Sequence, residues 1–313
     1  MQNASDRPTA GRQPVSNIGR RRVFGIGTVM LGSVTVLWLG AASVLSRGIR
    51  YPAFLDRNRT DVYGTNVPEP VRGLNASPPA FIAGKREYAV LIVPPAGGKR
   101  SALMPYANFL SAAGFPVMML DSDDDATRGT DWGWSERKAV AAAASDLRAK
   151  GFTKIAALGI SEGAAAAIFA QSESATSAGP FIAIVADSSY ANLDTTLRRS
   201  PSIANLNPAF QRTVLAEAGL WLGRFPALIS PAAAAAKVHC PLMIIQNRGD
   251  QLTTIADADA IRAHAPQSTI WITQSSGHAN AIYESPDEYK ARVLGFLESI
   301  DDANKAAAHT LVR

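Results

Sequence analysis

Lys154-Ile-Ala-Ala-Leu-Gly-Ile-Ser-Glu-Gly163, continued by Ala164-Ala-Ala-Ala-Ile-Phe-Ala-Gln171, is the stretch on which the fold turns. Lys154 to Leu158 reads as a short apolar strand, and Glu162 to Gln171 reads as an alanine-rich helix. Between them Gly159-Ile160-Ser161-Glu162-Gly163 spells G-x-S-x-G. The pattern alone is weak, but a strand directly before it and a helix directly after give it a mechanical meaning. Glycines two residues either side of a serine leave room for strand and helix to approach, and the serine is held on a sharp turn at the tip of a sheet.

Working outward, strand and helix alternate. Tyr88-Ala-Val-Leu-Ile-Val93 is a continuous apolar run of strand length, as expected of a strand covered on both faces. Further strands are expected at 115–120, 181–185, 242–245 and 269–272. Helices are expected at 101–113, 135–150 and 255–265, with Gly114 and Gly151 as helix-ending glycines. Residues 190–238 read as less regular helix, either a small lid or ordinary packing helices. Ser285-Pro286-Asp287-Glu288 opens the last helix with a capping box and a proline in its first turn. Such alternation predicts a mostly parallel sheet with helices on both faces, over about residues 81–302. Residues 303–313 read as a frayed tail.

The N-terminal region differs in character. Residues 1–22 are polar and basic, and Val23 to Ser46 contains no charged residue. At about 1.5 Å per residue that run reaches roughly 36 Å, enough for a hydrocarbon core of about 30 Å. Arg20-Arg21-Arg22 stands immediately before it, in the manner of a twin-arginine export signal. The run is expected to be a membrane anchor with the folded domain outside the cytoplasm, held at the inner (cytoplasmic) membrane. The other readings are an export signal cleaved near Gly40-Ala41-Ala42 and a buried helix. Residues 47–80 read as a linker with room for an edge strand. Much of the net charge of +5 comes from arginines flanking the uncharged run, so it is membrane-flanking charge and not a nucleic-acid footprint.

The candidate chemistry centres on Ser161. A serine hydroxyl needs a base to take its proton. Of His239, His264, His278 and His309, only His278 lies in a loop that follows an expected strand, Ser275-Ser-Gly-His-Ala-Asn280. Such loops gather at the carboxyl edge of a parallel sheet, where ligands bind. Asp250, in Gln246-Asn-Arg-Gly-Asp250, follows the preceding strand and is the expected acid, with Asp187 as the alternative. Oxyanion donors are expected from the backbone N–H of Ala96, in the turn Pro94-Pro-Ala-Gly-Gly98, and of Glu162.

The ordered set PPAGG, GISEG, NRGD and SGHAN resembles the α/β-hydrolase superfamily. It is most similar to the branch of serine aminopeptidases and prolyl-oligopeptidase-like esterases, over about residues 85–300. Where that family usually has H-G-x-G-G, this chain has Pro94-Pro95 in place of His-Gly. The resemblance implies a small-molecule ester, thioester or amide as substrate, cleaved through an acyl-enzyme. The alternatives are a peptidase and a tethered binding protein without catalysis.

No cofactor is expected, since G-x-G-x-x-G, P-loop and metal-ligand spacings do not occur. Asp121-Ser-Asp-Asp-Asp125 begins like a calcium loop, but Ala126 and Trp132 occupy its sixth and twelfth positions, so a solvated acidic loop is expected. Trp132 and Trp134 either border a substrate pocket or cap the core. The lone Cys240 is expected to be buried and inert.

Overall fold

A computed structural model describes residues 35–50, 80–98, 100–121, 129–174 and 179–311, the last eleven as backbone. The basic tail 1–22, the first half of the uncharged run, residues 51–79 of the linker and 122–128 of the acidic loop lie outside the described residues.

Seven strands form one sheet in the order β1-β3-β2-β4-β5-β6-β7. They are β1 (Ala80–Ile82), β2 (Ala89–Val93), β3 (Val117–Met119), β4 (Ile155–Ile160), β5 (Ala183–Asp187), β6 (Leu242–Gly249) and β7 (Thr269–Ser276). All neighbours pair in parallel except β1, which lies antiparallel on β3 at the edge. The helices are α1 (Arg100–Ala112), α2 (Arg137–Ala149), α3 (Glu162–Ser172), α4 (Leu193–Arg199), α5 (Pro201–Ala204), α6 (Pro208–Leu222), α7 (Pro231–Ala235), α8 (Ile255–His264), α9 (Ala281–Glu284) and α10 (Pro286–Leu311).

The side chains of the central strands alternate between two cores, as the two-residue period of a strand demands. Ala89, Leu91, Val93, Ala157, Ile184 and Ile244 face α2, α3, α7 and α8. Val90, Ile92, Ala156, Leu158, Val185 and Ile245 face α1, α9 and α10. Both faces are therefore dry, which is why the strands read as unbroken apolar runs. Helix α3 is buried from Glu162 to Gln171. One side of it meets the sheet core, while Ala165 and Phe169 meet a third cluster built from α4, α5 and α6. Small side chains let the first turns of the helix sit close between the two layers, hence its four consecutive alanines. Cys240 is buried and free, and burial pushes its thiol up to about 12.

Several element boundaries moved, among them those of β4 and β5, which end two residues later than expected. Strands β6 and β7 run to Gly249 and Ser276, past the apolar stretch expected, because their pairing continues through Gln246↔Ile272 and Asn247↔Thr273 to Gly249↔Ser276. The polar side chains there are satisfied by one another, with Thr273 Oγ1 donating to Asn247 Oδ1 at 2.9 Å. Strand β3 is shorter than expected. The backbone of α10 is helical to Leu311, through the stretch expected to be a tail; Ala306-Ala-Ala308 is strongly helix-forming.

Residues 35–50 are helical and lie along α6. The Trp38 indole donates to Thr213 Oγ1 at 3.2 Å and its ring packs edge-on to Phe210, 4.7 Å between centroids. Lower down, Trp221 donates to Ser46 Oγ at 3.1 Å, Arg47 stacks over the Trp221 ring, and Arg50 donates to the Trp221 carbonyl. Ala42, Ser46 and Ile49 are buried by this packing. No helix among the described residues is long and apolar enough to cross a membrane. The C-terminal half of the uncharged run is thus packed on α6, and the helix continues to Arg50, into the stretch expected to be linker.

Candidate active site

Ser161 is the N-cap residue of α3, at φ 55° and ψ −115°. This is a strained conformation for a residue with a Cβ, of a kind that persists at functional sites because the surroundings over-determine it. Its amide donates to the Asp187 carbonyl at 2.8 Å, tying the turn to β5. A serine at this position ordinarily caps the helix with its hydroxyl. Here there is no side-chain cap, and the hydroxyl meets His278 instead.

The two glycines of the motif have separate tasks. A Cβ on Gly159 would sit 2.6 Å from Ala164 Cα, so Gly159 lets α3 fold back over β4. A Cβ on Gly163 would lie 2.7 Å from the Val93 carbonyl carbon and nearer still to its oxygen. Gly163 therefore lets the start of α3 touch the end of β2. These are backbone clashes that no rotamer change relieves. Gly163→Val is expected to destabilise the chain by more than about 4 kcal/mol, read as loss of soluble protein or a large fall in urea midpoint. A midpoint equal to the parent's would refute the close approach.

His278 Nε2 lies 2.7 Å from Ser161 Oγ, and His278 Nδ1 lies 2.7 Å from Asp250 Oδ2. The imidazole is buried, and Asp250 more so. The loop that presents His278 is bent by positive φ at Gly277 and Ala279, and Asn247 Nδ2 holds the Gly277 carbonyl at 3.1 Å. Asp250 is held by its own turn: Oδ1 accepts from the amides of Leu252 (2.8 Å) and Thr253 (3.0 Å), and Oδ2 from Thr253 Oγ1 (2.7 Å). Burial by itself would push this carboxyl up. Hydrogen bonds from His278 and Thr253 outweigh burial and hold it below the ordinary carboxylate value. Asp250 is thereby kept ionised, facing the ring nitrogen that must carry a proton if Nε2 is to act as base.

Asp187, the alternative acid, lies at the end of β5 under the same turn, but its carboxyl points elsewhere. Oδ1 accepts from Ser188 Oγ at 2.9 Å and Oδ2 from Tyr289 hydroxyl at 2.9 Å. It is fully buried, and desolvation pushes it up to about 6 from 3.8. Between about pH 4 and pH 6 the folded state therefore binds a proton there that the unfolded state has lost. Stability contributed by this group falls as pH rises through that window, by about 3 kcal/mol in all. Asp187→Asn should accordingly stabilise the chain against the parent progressively more as pH rises from about 4 to about 6. Melting temperatures compared across that range test it, and a pH-independent difference would contradict the raised pKa.

The expected oxyanion donors lie on adjoining backbones. Pro94 and Pro95 have no N–H, so Ala96 is the first residue after β2 able to donate, within a turn closed by Gly98 N–H to Pro95 O at 2.9 Å. Glu162, next to Ser161, has its amide at the first turn of α3, where the helix dipole favours negative charge.

Three partners were invisible to the sequence reading. Thr253 and Gln246 surround Asp250, with Gln246 Nε2 at 3.4 Å from Oδ2. The spacing Asp250-x-x-Thr253, a local turn signal, could have pointed to the first. Thr130 Oγ1 donates to the buried Glu162 carboxylate at 2.6 Å. The loop bearing Thr130 is tied in turn to the N-terminal helix: the Thr130 amide donates to the Arg50 carbonyl at 2.7 Å and the Trp132 indole to the Ile49 carbonyl at 3.0 Å. Trp132 packs on Tyr190 and Trp134 on Phe169, so both tryptophans close the interface of α3 with its covering helices. Among the described residues no group of acidic, histidine or cysteine side chains could hold a metal ion.

No family model matches the chain, and no curated protein matches it. Solved structures do. An esterase of Pyrococcus furiosus superposes with a TM-score of 0.54 at 21% identity, covering 71% of this chain and 90% of its own. A lipase-esterase related protein of Clostridium acetobutylicum gives 0.51 at 14% identity, over 70% of this chain and 99% of its own. A structure from a pair of metagenome-derived lipolytic enzymes, LipS and LipT, gives 0.52 at 16%, over 72% and 99%. At such identities the likeness is one of architecture, and it agrees with the strand order and with the strand–turn–helix at Ser161: the chain has the α/β-hydrolase fold.

Proposed function

We propose that this protein is a serine hydrolase that cleaves carboxylic esters through an acyl-enzyme. One observation carries the reading: an unbroken relay from Asp250 through His278 to Ser161, 2.7 Å at each step, ending on the hydroxyl of a residue held in a strained turn. His278 Nε2 takes the hydroxyl proton as Ser161 attacks the carbonyl carbon, and Asp250 stabilises the imidazolium that forms. The Ala96 and Glu162 amides receive the developing oxyanion, each worth about 3–4 kcal/mol in the transition state. The protonated ring then gives its proton to the leaving alcohol, and water, activated by the same base, releases the acid.

The narrowness of the neighbouring cleft favours a short acyl group. The cleft beside the site, between Pro95, Ile160, Ala279 and Tyr283, is apolar and holds about 20 Å³. That is room for about one water-sized group. The structures of like fold named as an esterase, a lipase-esterase related protein and a lipolytic enzyme favour an ester as substrate, whatever its acyl length. The uncharged run Val23–Ser46 with its arginine flanks supports a place at a membrane surface.

A fluorophosphonate probe and a chain-length series of p-nitrophenyl esters test the proposal together. Labelling of Ser161 and a rate falling from acetyl to longer acyl groups are expected. No labelling, with no turnover of any ester, would end the hydrolase reading. Faster turnover of long chains would end the short-acyl one alone.

A further inference from the structure

The exposed large apolar residues are gathered in one place. Among the described residues, all of them except Phe81 and Met104 fall on the 35–50 helix or on the stretch 220–228. Val36, Leu37 and Leu220 are 71%, 73% and 78% exposed. The two stretches adjoin. Leu220 precedes Trp221, against which Ser46, Arg47 and Arg50 are set, and Phe225 lies on Gly219. The outward face of the 35–50 helix carries no charge before Arg47. A soluble surface rarely leaves so contiguous an apolar area to water.

We propose that this face, the outer side of the 35–50 helix together with Leu220, Phe225 and Leu228, seats the domain on a phospholipid bilayer. The chain itself argues for this occupant. The helix is continuous in sequence with Val23–Val34, twelve further residues without charge, and Arg20-Arg21-Arg22 lie beyond them. Residues 35–46 are held to α6 by Trp38, Ala42 and Ser46. While that contact lasts, only twelve residues of the run are left over, short of the roughly 20 a crossing helix needs. With too few residues left to span, the exposed apolar face of residues 35–50 is suited to lie along the interface. Arg47 is exposed at the far end of the face, placed to meet lipid phosphates. The inference rests on packing and exposure and is independent of the catalytic reading.

The test uses the full chain. Its native thiol, Cys240, is buried and its pKa is raised, so a cysteine placed elsewhere is labelled selectively. Leu37→Cys, Leu220→Cys and Leu228→Cys, with Ser145→Cys on exposed α2 surface as control, would each carry an environment-sensitive fluorophore. Vesicles of phosphatidylcholine and phosphatidylglycerol, with and without brominated acyl chains, are then added. The labels at 37, 220 and 228 should shift to the blue and lose emission to bromine, and the label at 145 should do neither. Quenching at 37 without quenching at 220 and 228 would overturn the proposal, because the helix would then leave the cap to cross the bilayer. A lipid-independent shift that grows with protein concentration would overturn it in favour of a second copy. The double variant Leu220→Asp with Leu228→Asp, if it melts like the parent, should weaken quenching at 37. Fluorophosphonate labelling of each variant should be unchanged, which separates failure of this surface from failure of the site.

Discussion

Ser161→Ala should lower kcat for p-nitrophenyl acetate by a factor on the order of 10⁴ to 10⁶ while leaving the melting temperature close to the parent's. The size follows from the relay. His278 Nε2 has the Ser161 hydroxyl as its partner at 2.7 Å, and with the oxygen gone no acyl-enzyme forms. What remains is whatever the oxyanion donors and binding achieve with water as nucleophile. The fold should not notice the change. The side chain makes no cap bond to α3, and the close approach of α3 to β2 depends on Gly163. Steady-state kinetics with the fluorophosphonate probe as a second readout measures it. A variant within about tenfold of the parent's turnover, or one still labelled at this turn, would remove Ser161 from the chemistry.

Asp250→Asn should cost on the order of 10⁴ in kcat, and Asp187→Asn less than about tenfold, although both carboxyls lie beneath the same loop. Asp250 Oδ2 lies 2.7 Å from His278 Nδ1, and a carboxylate there favours the ring proton on that side and a lone pair on the nitrogen facing Ser161. An amide presents a donor there. The ring then carries its proton on Nε2, pointing at the hydroxyl it should deprotonate. Thr253 and two backbone amides, all aimed at the carboxylate, hold the substituted side chain in place, so the loss falls on chemistry and not on structure. Asp187 spends its oxygens on Ser188 and Tyr289. Its removal should therefore appear in the pH dependence of stability and scarcely in kcat. If the two effects came out in the opposite order, Asp187 would be the acid, and the loop carrying His278 would have to be seated differently.

Much of this site was legible before any coordinates. G-x-S-x-G between a strand and a helix is a local statement: five adjacent residues carry the turn, and the glycines show their purpose through spacing alone. Continuous apolar strands announced a sheet covered on both sides. His278 and Asp250 could be chosen because loops that follow parallel strands all open at one edge, so position along the chain implies nearness in space. The antiparallel edge strand β1 stands at Ala80–Ile82, meeting the stretch expected to be linker only at Ala80.

What the chain could not disclose depends on contacts between residues far apart in sequence. Asp187 and Asp250 both end strands, and composition does not say which carboxyl turns toward an imidazole. The choice lies in the polar ends of β6 and β7, paired beyond their apolar stretches, which carry Asn247, Thr253 and Gly277 into position around the ring. The uncharged run was readable as hydrophobic but not as divided. Hydropathy sums a segment, whereas Trp38, Ala42 and Ser46 form a stripe with a helical period, and that stripe matters only because α6 offers Thr213 and Trp221 to meet it. Sequence by itself determined the strand–helix order, the turn and the place of its serine, since these arise from neighbours along the chain. Tertiary structure alone decided that the Asp250 carboxylate, not that of Asp187, faces the imidazole, and likewise the raised pKa of Asp187 and the lodging of residues 35–50, since burial and convergence belong to the assembled layers.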